Sequence, residues 1–329
     1  MSVLEMRDVV VDYQRKHLPD VRAVAGVSLN IERGQVVGLV GESGCGKSTL
    51  GRAASGLLAP TFGEVRFEGE LVTPLGRAPR PMRERKIQMV FQDPNSSLNG
   101  RRKVGEQISD GLELATDLPA RQRKARVAEL LELVGLEAKA AKRFPHEFSG
   151  GQRQRICIAR ALSADPSVII ADEPISALDA SAQAQVANLL LGLAKELDVG
   201  LLFISHDLAI VRHIADVVNV MYLGKIAEVG ATGPVWSEPL HPYSEALIGA
   251  VLHADGSAEM PRALPGDVPD PADPPPGCRF QTRCPAVMDR CRTDEPVLQN
   301  LATEDDDTRR VACWLHHDTG VRLGAHRHG

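Results

Sequence analysis

The chain has 329 residues, room for two domains or for one large domain with an extension. Hydrophobic residues at 43% and charged residues at 25% suit a chain with a sizeable core, which excludes disorder as its main state. Lys plus Arg total 38 against 43 Asp plus Glu, and aromatics reach only 4%. A general nucleic-acid binder needs a basic face, and a stacking platform needs rings, so no nucleic-acid partner is expected.

In chain order, Leu4 to Val11, Ala23 to Ile31 and Gln35 to Val40 read as strands, from β-branched content and alternation. Val127, Leu130, Leu131 and Val134 fall at helical spacing on one face that ends before Gly135. Strands follow at Ser167 to Ala171 and Gly200 to Ile204 around a helix over Ser181 to Leu197, the alternation of a parallel sheet covered by helices. Asp216 to Tyr222 and Ile226 to Val229 form a hairpin about Leu223-Gly224. No internal repeat is found. Pro261 to Pro276 holds seven prolines in sixteen residues, a stiff linker, and beyond it Cys278, Cys284, Cys291 and Cys313 lie in a short module. No apolar run approaches the ~18 residues needed to cross a bilayer, and MSVLEMRDVV lacks a secretory pattern, so a cytosolic address is expected.

Gly41-Glu42-Ser43-Gly44-Cys45-Gly46-Lys47-Ser48-Thr49 fits G-x-x-x-x-G-K-[ST] after an apolar strand. Glycines let several backbone N–H groups face one anion at a helix N-terminus. Lys47 is the cation for the β- and γ-phosphates, Ser48 the hydroxyl ligand to Mg²⁺, and Cys45 a tolerated small residue. Val168-Ile-Ile-Ala-Asp172-Glu173 is an apolar strand ending in two carboxylates. Such a pair can put Asp172 on Mg²⁺ and leave Glu173 to polarise an attacking water. The alternative for each motif is structural: a glycine-rich turn, or exposed carboxylates at a strand end.

From here the motifs resemble the ATP-binding cassette (ABC) ATPases. Phe148-Ser149-Gly150-Gly151-Gln152 is similar to the family signature, Gln92 in Phe91-Gln-Asp-Pro94 to its Q-loop, Ser176-Ala-Leu-Asp179 to its D-loop, and Ser205-His206-Asp207 to its switch histidine, all in family order. The resemblance covers about residues 3 to 255 and implies an α/β P-loop NTPase fold with a β-subdomain and a helical subdomain at about 95–165, followed by a linker at 256–277 and the four-cysteine module at 278–329. It implies ATP sandwiched in a dimer between the P-loop of one subunit and Ser149, Gly150, Gly151 and Gln152 of the other. Glu173 is then the catalytic base, His206 the γ-phosphate contact, Gln92 a sensor of Mg²⁺ and of the membrane partner, and Tyr13 the candidate for stacking on adenine. Phe148 stands where the signature usually has Leu, and Ile175 where Thr is frequent.

Phe91 to Asn99, Phe144 to Ser149, His241 to Leu247, and Gly277-Cys-Arg-Phe280 with Arg283-Cys-Pro285 resemble the ATPase subunits of oligopeptide and dipeptide importers, and Ser97-Leu98-Asn99 with the Pro-rich approach to Cys278 leans toward the second of their two ATPases. Nickel importers share much of this pattern. A chain of this kind sits on the cytoplasmic face of the membrane, paired with a related ATPase beneath two transmembrane permease subunits that an extracytoplasmic binding protein feeds. Soluble relatives acting on DNA or ribosomes form the other class; a long coiled coil or a second cassette would mark them, and neither is present. The cysteines are spaced C-x5-C-x6-C-x21-C. Four thiolates there can hold Zn²⁺ or a [4Fe–4S] cluster, or remain free or crosslinked. The importer ATPases that the chain resembles carry an iron–sulfur cluster at this place, which sets the cluster ahead of zinc. Cys157 reads as core. The basic stretches at 83–86, 101–103 and 121–124 read as solvated faces or as surfaces toward membrane subunits.

Overall fold

The computed structural model describes residues 2–16, 19–77, 79–252, 266–301 and 308–317. The expected linker therefore lies partly outside the described residues, as do 302–307 and 318–329 of the expected cysteine module.

The chain begins with two long antiparallel strands, β1 (Ser2–Tyr13) and β2 (Val21–Glu32), before the short buried strand β3 (Val36–Val40) and helix α1 (Lys47–Ala54). Strands β4 (Phe62–Phe67), β5 (Glu70–Leu71) and β6 (Ile87–Val90) follow. Four helices come next: α2 (Pro94–Ser97), α3 (Val104–Ala115), α4 (Ala120–Leu133) and α5 (Gly150–Leu162). Strand and helix then alternate through β7 (Val168–Asp172), α6 (Ala180–Glu196), β8 (Gly200–Ser205), α7 (Leu208–Ile214) and the hairpin β9 (Val217–Tyr222) and β10 (Lys225–Ala231). Helices α8 (Thr232–Ser237), α9 (Pro242–Leu252) and α10 (Asp289–Thr293) precede the two-residue strands β11 (Gln299–Asn300) and β12 (Arg310–Val311).

These strands make two sheets. An antiparallel sheet of order β2-β1-β4-β5 is the β-subdomain, and an eight-stranded sheet runs β11-β12-β10-β9-β3-β8-β7-β6. Its centre is parallel, β3 pairing with both β8 and β9, while β9, β10, β12 and β11 continue antiparallel to one edge. The C-terminal residues thus extend the same sheet as the phosphate loop.

Period-two alternation splits the core. Val36 and Val40 of β3, Ile169 and Ala171 of β7, and Leu201 and Phe203 of β8 face the cluster under the helices. Val37 and Leu39, Val168 and Ile170, and Leu202 and Ile204 face the cluster shared with the antiparallel sheet. Both faces are dry, which is why these strands read as continuous apolar runs. Each valine, leucine, isoleucine or phenylalanine among them contributes about 1.5–3 kcal/mol by leaving water. In α4 the expected face is present, with Val127, Leu130 and Leu131 buried and Val134 fully buried just beyond it. Among the described residues, no helix is long and apolar enough to cross a membrane.

Candidate active site

The central strand β3 delivers the chain into the phosphate loop, and two glycines make the loop possible. A Cβ on Gly41 (φ +153) would lie 2.1 Å from the Met221 carbonyl oxygen of β9, and one on Gly46 (φ +106) 2.1 Å from that of Ala23 in β2. The loop is therefore wedged between the hairpin and the antiparallel sheet. Lys47, only 4% exposed, folds back into it, its Nζ donating to the carbonyl oxygens of Gly41 (2.8 Å) and Glu42 (2.9 Å). Cys45 is buried, which pushes its thiol up from the ordinary value, an inert state in keeping with a packing role.

Ser48 Oγ donates to Asp172 Oδ1 at 2.8 Å, so the first turn of α1 meets the end of β7. Burial pushes the Asp172 carboxyl up from its ordinary range, and the Ser48 hydrogen bond opposes that shift. A hydroxyl and a carboxylate side by side are oxygen ligands suited to a hard cation such as Mg²⁺. Glu173, the next residue, has φ +45, a left-handed conformation that costs a non-glycine residue about 1–3 kcal/mol. Its N–H donates to the Ile204 carbonyl at 3.0 Å across to β8, which holds the strained peptide. The carboxylate receives Gln92 Nε2 at 3.2 Å and lies 3.4 Å from His206 Nδ1. Three residues from three loops thus converge beside the Ser48–Asp172 pair. Tyr13 lies at the same end of the loop, its hydroxyl 3.3 Å from Thr49 Oγ1 with the ring 37% exposed.

The signature segment is built differently. Ser149 is the N-cap of α5: its Oγ accepts from the Gln152 N–H at 3.3 Å while Gln152 Oε1 accepts from the Ser149 N–H at 3.0 Å. A Cβ on Gly150 would lie 3.3 Å from Leu178 Cδ2, and one on Gly151 3.2 Å from Ala182 Cβ, so both glycines sit close against the entry to α6. Among the described residues, no hydrogen bond or ion pair joins 149–152 to 41–49 of the same chain, and the cap residue Ser149 is exposed. Asp179 caps α6 by accepting from the Ala182 N–H at 3.0 Å, and Ser176 Oγ donates to the Glu173 carbonyl at 3.1 Å. The D-loop is thereby tied to the carboxylate's own backbone. The two departures from the family pattern are both apolar burials: Ile175 is 2% exposed, and Phe148, 5% exposed, lies under the Arg143 guanidinium at 4.2 Å.

Comparison with known proteins accords with this geometry. A family model described as ABC transporter matches residues 24–176, and one described as oligopeptide/dipeptide transporter, C-terminal region, matches 227–291. The di/tripeptide transport ATP-binding protein of Pseudomonas aeruginosa is 44% identical over 323 residues, 96% of this chain and 98% of its own length. The oligopeptide transport ATP-binding protein AppF of Bacillus subtilis is 46% identical over 326 residues, 96% of this chain and 98% of its own. The chain belongs to the ABC transporter family of ATP-binding proteins, in its oligopeptide/dipeptide group. Among solved structures, an ATP-binding cassette caught as a dimer after hydrolysis with ADP and Pi is 29% identical, covering 70% of this chain and 98% of its own with TM-score 0.63. A cassette of the Clostridium perfringens CbiONQ complex, also 29% identical, covers 77% of this chain and 96% of its own with TM-score 0.64.

The C-terminal region of this ABC protein carries four of its cysteines. Burial pushes the Cys313 thiol up, and Cys278, Cys284 and Cys291 add to that shift. The Cys278 N–H donates to the Cys291 carbonyl at 2.8 Å. Burial likewise pushes the thiols of Cys278 and Cys284 up, and the backbone N–H groups of Phe280, Ala286 and Leu315 oppose the shifts at Cys278, Cys284 and Cys313. None is in a disulfide. The expectation of a metal set meets a difference here. Among the described residues, no three His, Cys, Asp or Glu side chains converge to hold a single ion.

Two residues with no assigned role from sequence join the cassette's phosphate loop. Tyr243 Oη accepts from the Glu42 N–H at 2.9 Å, and Arg283 pairs with the Glu42 carboxylate at 2.7 and 3.0 Å. They stand 201 and 241 positions away, and no local pattern signals contacts of that range.

Proposed function

We propose that this chain is the ATP-hydrolysing subunit of a peptide importer, held at the cytoplasmic face of the membrane beneath two permease subunits and paired with a related ATPase. The observation that carries the reading is the convergence of Gln92, Glu173 and His206 beside Ser48–Asp172, in a chain whose relatives named for peptide transport match 96% of it. In this reading the residues 41–49 wrap the triphosphate and Lys47 exchanges its carbonyl partners for phosphate oxygens. Ser48 and Asp172 hold Mg²⁺ with Gln92 nearby. Glu173 takes the proton of the attacking water, His206 contacts the γ-phosphate, and Tyr13 stacks on adenine. Ser149, Gly150, Gly151 and Gln152 serve the nucleotide of the partner ATPase, and Ser176 and Asp179 border the same interface. Signature and phosphate loop share no hydrogen bond within the described chain, which supports a site completed between two subunits.

The test is ATP hydrolysis by the reconstituted transporter in liposomes, with its permeases and binding protein. Hydrolysis and uptake stimulated by di- or oligopeptides are expected. Stimulation by Ni²⁺ and not by peptide would replace the substrate class, and activity indifferent to the membrane subunits would overturn the transport reading.

For the thiols we propose a [4Fe–4S] cluster on Cys278, Cys284, Cys291 and Cys313. Four cysteines gathered in the C-terminal region supply the ligand number of such a cluster; burial pushes the thiols of Cys278, Cys284 and Cys313 up, and the backbone N–H groups of Phe280, Ala286 and Leu315 oppose that shift, so ligation would have to supply the rest of the thiolate stabilisation. Zinc needs four sulfurs about 3.8 Å apart around one ion at ~2.3 Å bonds, and among the described residues no three such side chains converge on one ion. Bound there, the cluster supplies a crosslink between the segments and a one-electron redox couple. Cys284→Ser is expected to remove iron and sulfide together; zinc in their place would overturn the choice.

A further inference from the structure

Glu42, the second residue of the phosphate loop, is gripped from outside the loop at two points. Its carboxylate takes both terminal nitrogens of Arg283, Nη1 to Oε2 at 2.7 Å and Nη2 to Oε1 at 3.0 Å. Arg283 is 5% exposed and Glu42 25%, so the fork is formed largely out of water. The Glu42 N–H donates to Tyr243 Oη at 2.9 Å, which fixes the 41–42 peptide with its other end, the Gly41 carbonyl, facing Lys47 Nζ at 2.8 Å. The two gripping residues are themselves packed together. Tyr222 and Tyr243 rings lie 4.7 Å apart, Phe280 sits 5.2 and 5.4 Å from them, and Arg283 Nη1 reaches Tyr222 Oη at 3.5 Å. These contacts tie the grip to the hairpin and to helix α9, and its Arg283 comes from the C-terminal region rather than from the cassette motifs.

We infer that Arg283 is a positioning residue for the phosphate loop, so that nucleotide affinity depends on the C-terminal segment through the Arg283–Glu42 pair. The loop must present its N–H groups and Lys47 in one arrangement before the anion arrives, and a loop held in that arrangement loses less freedom on binding. Removing the fork frees the Glu42 carboxylate beside incoming phosphates and lets the peptide that faces Lys47 rotate. By linkage, nucleotide must in turn steady the segment that carries Arg283. This goes beyond the importer reading and requires no group on the thiols.

The test uses the full chain and MgADP. Arg283→Met is expected to raise the Kd about tenfold, Glu42→Gln to do the same, and the double variant to be no weaker than the weaker single one. Arg283→Lys should recover part of the loss. Arg290→Met removes the guanidinium 3.6 Å over the Trp314 ring, in the same region but away from the loop, and should bind as the wild type does. If Arg283→Met disrupts folding, hydrogen exchange of wild-type residues 277–293 still decides, because MgADP should slow it severalfold. An unchanged Kd in Arg283→Met, additive losses in the double variant, an equal loss in Arg290→Met, or exchange indifferent to MgADP would each overturn the inference. None of these readouts involves peptide or membrane subunits, so failure here leaves the import reading standing.

Discussion

Ser48 and Asp172 share a 2.8 Å hydrogen bond across 124 positions of sequence. The bond joins the helix that follows the phosphate loop to the strand that ends in the two carboxylates, so the adjacent strands β3, β8 and β7 set the distance between the two side chains proposed to hold Mg²⁺. Asp172→Asn keeps an acceptor for the Ser48 hydroxyl and removes the charge. We expect an unchanged fold by circular dichroism, with the Mg²⁺ concentration for half-maximal ATP binding raised about 10- to 100-fold. An unchanged Mg²⁺ requirement would remove Asp172 from the cation site.

Glu173 is held in a conformation that disfavours it, at φ +45, and its carboxylate meets Gln92 and His206. Glu173→Gln preserves the hydrogen bond to Gln92 through its carbonyl oxygen but cannot take a proton. Hydrolysis by the assembled transporter should fall about 10²- to 10⁴-fold while MgATP binding stays within about twofold. Glu173→Gly should stabilise the chain by about 1 kcal/mol through relief of the backbone, with hydrolysis lost. A variant that is both inactive and less stable would show that the side-chain contacts outweigh the strain.

The phosphate loop, the carboxylate strand and the central parallel strands were legible because each writes its physics into consecutive residues. Val36 to Val40 is apolar throughout because both faces are buried, and Gly41 and Gly46 are glycines because a Cβ would strike a carbonyl oxygen. The cap at Ser149 with Gln152 three residues on is a local pattern too. What sequence could not reveal was long-range. Arg283 stands in a cysteine-bearing stretch that draws attention to Cys284, and its partner Glu42 reads only as a variable position in the loop. The addition of β12 to β10 was equally hidden, because two-residue strands carry no alternation to read.

His241 gives the fold a pH dependence. It is fully enclosed, its Nδ1 accepts the Tyr243 N–H at 3.0 Å, and burial, with a smaller contribution from His316, pushes its pKa down from 6.5 to about 3. The folded chain keeps this imidazole neutral, whereas the unfolded chain binds a proton below its ordinary value. The stability it permits is therefore complete above pH 6.5 and lost as pH falls from 6.5 toward 3, at about 1.4 kcal/mol per pH unit. Between pH 7 and pH 5 the loss is about 2 kcal/mol. His241→Asn has no such titration, so the stability gap between wild type and variant in urea unfolding should narrow by that amount over this range. A gap independent of pH would mean that the imidazole does not stay neutral in the fold.

Substitutions can separate the capping role of Ser149 from the role proposed for it at the partner's nucleotide. As N-cap it accepts the Gln152 N–H, and Ser149→Ala should cost about 1 kcal/mol of stability. Asn caps a helix as well as Ser does, so Ser149→Asn should keep the melting temperature within about 2 °C of wild type. It is nevertheless bulkier, and the reading of a nucleotide shared between subunits needs close approach at this exposed cap. Ser149→Asn should therefore bind MgATP at its own phosphate loop as wild type does, yet fail to form the proposed ATP-dependent dimer with a related ATPase in the Glu173→Gln background. Size-exclusion chromatography with light scattering reads the dimer directly. A dimer that survives Ser149→Asn but is lost in Ser149→Ala would assign this serine to helix stability alone.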